Sequence, residues 1–271
     1  MTGRWSGGVL VLLLALLTSS LARAQDRECG DVEMIVRLAY PGAIAQGEGF
    51  LRAGDRTITL PSDSSINPHA IVCRRWRGRP GLLLVAVPLI AQVRSDGTSG
   101  DLDVLVVDEA TGSPRHRIRL PHAMNDDAIR LSGISFDTAP YILGPDRLAF
   151  GVKREWMGSS RPNPFLETTL SLLEVRAGAL SRVLDNLVVF RSVGTWDLSC
   201  AGETVATERI LRMRPGQHGQ DISVLERQTR TASKPDKGGE CHSTDRAEPP
   251  RTILLPFDGE RYQPPRALRR D

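Results

Sequence analysis

The chain predicts an all-β fold of many short antiparallel strands, β-propeller-like in preference to a β-sandwich. Three observations predict it. Short runs rich in Val, Ile and Leu recur along the chain, separated by turns of Gly, Pro, Asp, Asn and Ser. No segment carries a sustained 3.6-residue apolar period with caps. Four cysteines follow an export leader, which is the composition of a disulfide-braced scaffold.

The leader comes first. Arg4 gives a positive start, and Val9–Leu17 is an apolar run too short for a bilayer core of about 30 Å. Ala22-Arg23-Ala24 then supplies a small-x-small cleavage site. Residues 1–24 are read as a signal peptide, residues 25–265 as a single all-β domain and residues 266–271 as a disordered tail. Asp26-Arg27-Glu28 before Cys29 lacks the small and aliphatic residues of a lipid-modified cysteine. The expected location is periplasmic or secreted, with no stable membrane insertion after cleavage.

Export sets the reading of Cys29, Cys73, Cys200 and Cys241. The favoured pairing is Cys29–Cys73 and Cys200–Cys241, each bracketing one terminal region. Each would close a loop of about 40–45 residues, worth about 4 kcal/mol on the chain-entropy model. Zinc lacks support in the spacing, because there is no CxxC and His242 alone adjoins a cysteine. Cleavage also removes Arg4 and Arg23, two of the three net positive charges. The near-neutral mature chain has no field to gather nucleic acid or anionic lipid. Lysine occurs only at 153, 234 and 237 among 35 basic residues, a preference for arginine read as coding bias.

Taken in order, Val32–Leu38 alternates loosely and reads as a first strand. Phe50–Arg52 and Thr57–Leu60 form a hairpin about Gly54-Asp55, and His69–Trp76 is a strand carrying Cys73. Gly81–Val93 is the most apolar stretch. Its length alone would suit a helix, but its β-branched residues and Pro88 favour a central strand that ends or kinks at the proline. Asp101–Leu120 is a hairpin turning at Glu109–Gly112, with Leu102, Val104 and Val106 on one face and Asp103, Leu105 and Val107 on the other.

Ala128–Phe136 and Arg147–Trp156 are further strands, and Thr168–Leu184 is a second hairpin turning at Arg176-Ala177-Gly178. Leu187–Phe190, Ala206–Met213 and Asp221–Gln228 continue the series. Thr231–Pro250 reads as a long loop pinned by Cys241, and Thr252–Tyr262 as a closing hairpin on Asp258-Gly259. The total is roughly fourteen to sixteen strands. The V-x-D-x-x-T-G ending of Val106–Gly112 is common in propeller blades and favours that architecture, although the units keep no fixed period.

Candidate chemistry is sparse. Ser95–Val107 resembles the calcium loop of FG-GAP and VCBS-type propeller repeats. Aligned on Gly100 and Asp103, however, it has Ser95, Gly97 and Ser99 at the acidic ligand positions, with Asp96 and Asp101 one place out of register. A polar turn is the reading, and no metal is expected. Asp126-Asp127 is read as a turn because adjacent strand residues point to opposite faces, which does not suit the paired carboxyls of a glycosidase. His116 and His122 lack a ligand cluster, and Ser159-Ser160 lacks the glycine of a nucleophile elbow. Gly47-Glu48-Gly49 lacks the third glycine and following helix of a dinucleotide loop, so no cofactor is expected.

Phe136–Tyr141, Arg147–Val152, Arg161–Pro164, Trp196–Glu203 and Phe257–Tyr262 together resemble a group of exported, uncharacterised proteobacterial proteins of similar length. The resemblance spans residues 100–265 and implies export and a common fold, without an activity. The functional expectation is a non-enzymatic envelope β-domain that binds a protein or other macromolecule, including an inhibitor or immunity-type role. Contact is expected at Thr231–Pro250 and at the Arg154–Pro164 loop, where Trp156, Met157 and Arg161 read as exposed. The alternative is a periplasmic hydrolase with dispersed Asp and His residues.

Overall fold

The computed structural model describes residues 29–62, 67–95 and 97–270, so the signal-peptide reading lies outside the described residues. Among the described residues, fifteen strands form two antiparallel sheets, with one α-helix before them and one 3₁₀ turn after them. The first sheet runs β1 (Ile44–Ala45), β2 (Phe50–Ala53), β3 (Arg56–Thr59), β5 (Leu82–Val93), β6 (Thr98–Asp108), β7 (Pro114–Asn125), and β4 (Val72–Arg75) also pairs with β5. The second is a meander of β8 (Ile129–Gly144), β9 (Arg147–Gly158), β10 (Phe165–Arg176), β11 (Ala179–Trp196), β12 (Gly202–Pro215), β13 (Gln220–Pro235) and β14 (Cys241–Ala247). Here β15 (Arg251–Leu255) shares the β13 edge with β14.

The all-β class and both disulfides, Cys29–Cys73 and Cys200–Cys241, are as expected. The propeller-like arrangement is not borne out. Propellers need at least four radial sheets of four strands, whereas long strands joined by tight turns here collect into two sheets of seven and eight.

The expected first strand is a helix, α1 (Val32–Ala39). Asp31 caps it by accepting the Met34 N–H at 2.9 Å, and Glu33 pairs with Arg37 one turn on. Val32, Ile35, Val36, Ala39 and Tyr40 face the core, an i, i+3, i+4, i+7, i+8 pattern. The apparent alternation came from Met34 and Leu38, which are exposed. Gly112, at φ +68°, brings the β6–β7 turn against Met34, where a Cβ would lie 2.8 Å from its methyl.

Strand β5 does not end at Pro88. β4 covers Leu83–Ala86 and β3 rejoins at Ile90, so the proline falls between the two partners on that side. Both faces of β5 and β6 are buried. Leu84, Val104 and Val106 meet Phe150, Val152 and Trp156 of the second sheet. On the opposite face Val85, Leu105 and Val107 lie beneath α1 and the β2–β3 hairpin. Each such side chain contributes about 1.5–3 kcal/mol of burial. A third core on the far face of the second sheet is closed by Phe257, Tyr262 and Leu268.

Two C-terminal expectations are corrected. Thr231–Pro250 is mostly the β13–β14 hairpin, because Asp236 closes a tight turn by accepting the Gly238 and Glu240 N–H groups. The tail does not fray from residue 266. Arg266–Leu268 forms a 3₁₀ turn, Leu268 is buried, and the Arg270 N–H donates to the Asn186 carbonyl.

Candidate functional site

Buried carboxylates set the electrostatics of both sheets. Asp103 of β6 is fully buried, facing Arg119 in cross-strand register on β7. Arg119 Nε donates to it at 2.8 Å, the Tyr40 hydroxyl at 2.7 Å, and Arg117 also donates while stacking on the Tyr40 ring. Burial pushes the Asp103 carboxyl up, but the bonds from Arg119 and Tyr40 and the charge of Arg117 outweigh it and leave the carboxyl below its ordinary range. Burial beside Asp103 pushes the Tyr40 hydroxyl above its ordinary value.

The pattern recurs in the second sheet. Glu167 faces Arg191, and Glu226 faces Arg209 on one side and Arg251 on the other, in each case in register. Arg270 donates to Glu167 at 2.7 Å and stacks on the Trp156 ring at 4.1 Å. Trp156, expected as a contact residue, is therefore turned inward at 4% exposure. Its strand neighbours alternate outward, leaving Met157 exposed, and Arg161 in the following loop is exposed as well. Arg154 is also buried. Its guanidinium donates to the Ala123 carbonyl of β7 and to Asn186, tying the sheets together, and burial lowers its pKa to about 10.

The other acidic candidates are committed to local structure. Asp101 accepts the His122 N–H at 3.0 Å and lies 3.5 Å from Arg56. Asp96 lies outside the described residues. Asp126 accepts the Leu131 N–H and Asp127 the Ile129 N–H, so both hold the turn before β8. His116 approaches the Gly178 carbonyl through Nδ1, and His122 sits at φ +52° on the rim of β7. Asp236, Glu240 and His242 gather within 4.8 Å at the β13–β14 turn, all exposed. Bonds from the Glu240 and Gly238 N–H groups and from His242 hold the Asp236 carboxyl below its ordinary range, which accounts for the grouping as turn closure.

Two features remain open to a partner. One is a cleft of ≈ 590 Å³ at the seam of the sheets, lined by Arg74, Trp76 and Arg77 on one side and by Phe136–Pro140, Leu148 and Lys153 on the other. It exists because β8 bulges. Asp137 pairs with Gly151 and Tyr141 with Ala149, so three residues oppose Phe150 alone. Asp137 closes the bulge by accepting the Ala139 N–H, the Tyr141 hydroxyl and the Lys153 ammonium. Burial raises its pKa, but those donors, Lys153 foremost, leave it below the usual carboxylate value. Neither the bulge nor the cleft had a sequence signal, since the residues that meet here are some sixty apart on separate sheets.

The other feature is an arm. From Arg227 through Ala247 no side chain is buried and β14 is exposed throughout, so the outer part of the sheet leaves the core, while β12 still touches it through Leu211 and Met213. The Cys200–Cys241 disulfide ties the start of β14 to the β11–β12 loop, and Asp197 folds that loop by accepting the Ser199 and Cys200 N–H groups. Beyond β14 no further strand pairs among the described residues. Comparison with protein-family models, curated proteins and solved structures returned no match. Two disulfides are the mark of a chain kept outside the reducing cytosol, and no described helix is long and apolar enough to cross a membrane.

Proposed function

We propose that this chain is a periplasmic or secreted, non-enzymatic binding protein that engages another macromolecule through the β12–β14 arm. The observation that supports this reading is a sheet extension whose outer strand, Cys241–Ala247, is exposed along its whole length and is held in shape by the Cys200–Cys241 disulfide. Such an extension contributes little to the hydrophobic core. Its backbone edge at Cys241–Ala247 suits recognition by strand addition, with His242, Asp245 and Arg246 giving selectivity and discouraging indiscriminate pairing. An inhibitor or immunity-type partner relation is one form of this activity.

The alternative, a hydrolase, asks for a carboxyl group able to exchange a proton in the cleft. Asp137 is held ionised by Lys153 and is bonded to its own loop, which favours the binding reading. The test is affinity capture from periplasmic extract with disulfide-intact mature protein. Ser243→Pro removes an outward-facing N–H donor from the free edge of β14, and Arg246→Glu reverses an exposed charge. Specific capture that both variants lose, with unfolding midpoints near the parent's, is the expected result. Absence of a specific partner, or one retained equally by both variants, would overturn the proposal.

A further inference from the structure

Among the described residues Arg154 is the only buried basic residue, and no carboxylate is in ion-pair contact with it. Its guanidinium donates to two neutral oxygens, the Ala123 carbonyl at 3.2 Å and the Asn186 side chain. The charges acting on it are already matched to one another or elsewhere. Arg182 pairs with Asp185 at 3.0 Å, and Arg270 pairs with Glu167 at 2.7 Å. Burial lowers the Arg154 pKa only to about 10, so the group is charged at neutral pH. A buried ion without a counter-charge is strongly destabilising until one is supplied.

Trp156 adds a second donor beside it. It lies two residues further along β9, on the same face, at 4% exposure, and its Nε1–H has no acceptor. The Arg154 guanidinium carbon is 5.8 Å from the indole ring, close enough for one small ion to meet both groups. Both donors are also held in place. Ser171 opposes Asp185 and Asn186 together, a bulge that sets Asn186 at φ +50°. The Asn186 N–H donates to Ser171, its carbonyl accepts from the Arg270 N–H, and Arg270 stacks on the Trp156 ring at 4.1 Å.

A water molecule between these donors would satisfy the indole but leave the guanidinium charge uncompensated, whereas an anion answers both. One unmatched charge calls for one negative charge, and burial on both sides calls for a compact ion. We infer that Arg154 and Trp156 bind a small monovalent anion of the halide class between the sheets, where β9 meets Ala123 of β7. This site is separate from the arm and stands or falls independently of it.

Thermal unfolding of the disulfide-intact mature protein in sodium chloride and in sodium gluconate tests the assignment, with ionic strength matched so that screening is equal. Chloride is expected to raise the midpoint saturably over gluconate, by about 3–5 °C at tenfold its Kd. Trp156→Phe keeps a ring beneath Arg270 and removes the N–H, so chloride affinity should fall about tenfold or more. Arg154→Met should abolish the chloride increment; should that variant fail to fold, the Trp156→Phe titration decides. Crystals grown in bromide should show an anomalous peak in contact with both side chains. Three results would each overturn the inference: equal midpoints in the two salts, parental chloride affinity in Trp156→Phe, or bromide found only elsewhere.

Discussion

Arginine in this protein works chiefly through single buried carboxylates. Asp103, Glu167 and Glu226 each sit inside a sheet with an arginine directly opposite on the next strand. The carboxylate is desolvated while the arginine stem lies along the sheet and its head reaches water. Removing one member strands the other, which gives these pairs a strong role in register. Asp103→Asn should destabilise the fold by about 2–3 kcal/mol at neutral pH, less than for a wholly buried pair because Arg117 and Arg119 are partly exposed. Since the folded Asp103 pKa lies below its ordinary 3.8, the pairing stabilises above that pH and is lost as pH falls through the folded value. Urea unfolding of parent and variant should therefore differ most near neutrality and converge as the pH falls through the folded Asp103 value.

Elements show how period and context compete. The α1 stripe at positions 32, 35, 36, 39 and 40 is a full helical pattern, but over eight residues it overlaps a period-two pattern at 32, 34, 36 and 38. Asp31 as cap decides between them. At the other end of the chain, β14 lacks a buried side chain and is kept by backbone pairing and the disulfide. Replacing Cys200 and Cys241 together by serine should raise hydrogen exchange through β14 and the end of β13, with protection in β5 and β6 unchanged. The chain-entropy ceiling for the loss is about 4 kcal/mol. The global effect should fall short of it, because β14 and the end of β13, which have no buried side chain, can open locally. Uniform loss of protection across both sheets would contradict an independent arm.

The whole molecule is a layered stack: α1 and the β2–β3 hairpin, the first sheet, the second sheet, and the C-terminal segment over its far side. The last layer links the chain end to the centre, since Arg270 meets both Glu167 and the Trp156 ring. Deleting residues 266–271 removes one of the two arginines on Glu167 and uncovers Leu187 and Trp156. We expect a loss of about 2–4 kcal/mol in denaturant unfolding and a red shift of tryptophan emission. A truncated chain as stable as the parent, with unshifted emission, would show the tail to be dispensable.

Some of this architecture was legible in the residues alone. Turn chemistry at Gly54, Gly112, Gly178 and Gly259 needs only local backbone preferences, and each glycine takes positive φ as a turn requires. The Cys29–Cys73 and Cys200–Cys241 pairings followed from bracketing of the terminal regions, and strand content followed from short β-branched runs. Burial of Trp156 was not legible, because it depends on Arg270 returning across the sheet from the chain end. Nor was the gathering of strands into two sheets, since alternating strands say which faces are apolar and leave open which other face covers them. The cleft belongs to the same class. Arg77 and Lys153 are ordinary surface cations in the sequence, and only the packing of one sheet on the other sets them across a bulge whose length no local preference specifies. By itself the sequence determined the β elements, their turns and their covalent braces, all of which rest on short-range chemistry. Tertiary structure alone decided which charges are buried together and where a ligand or partner finds room, because those depend on contacts between residues far apart in the chain.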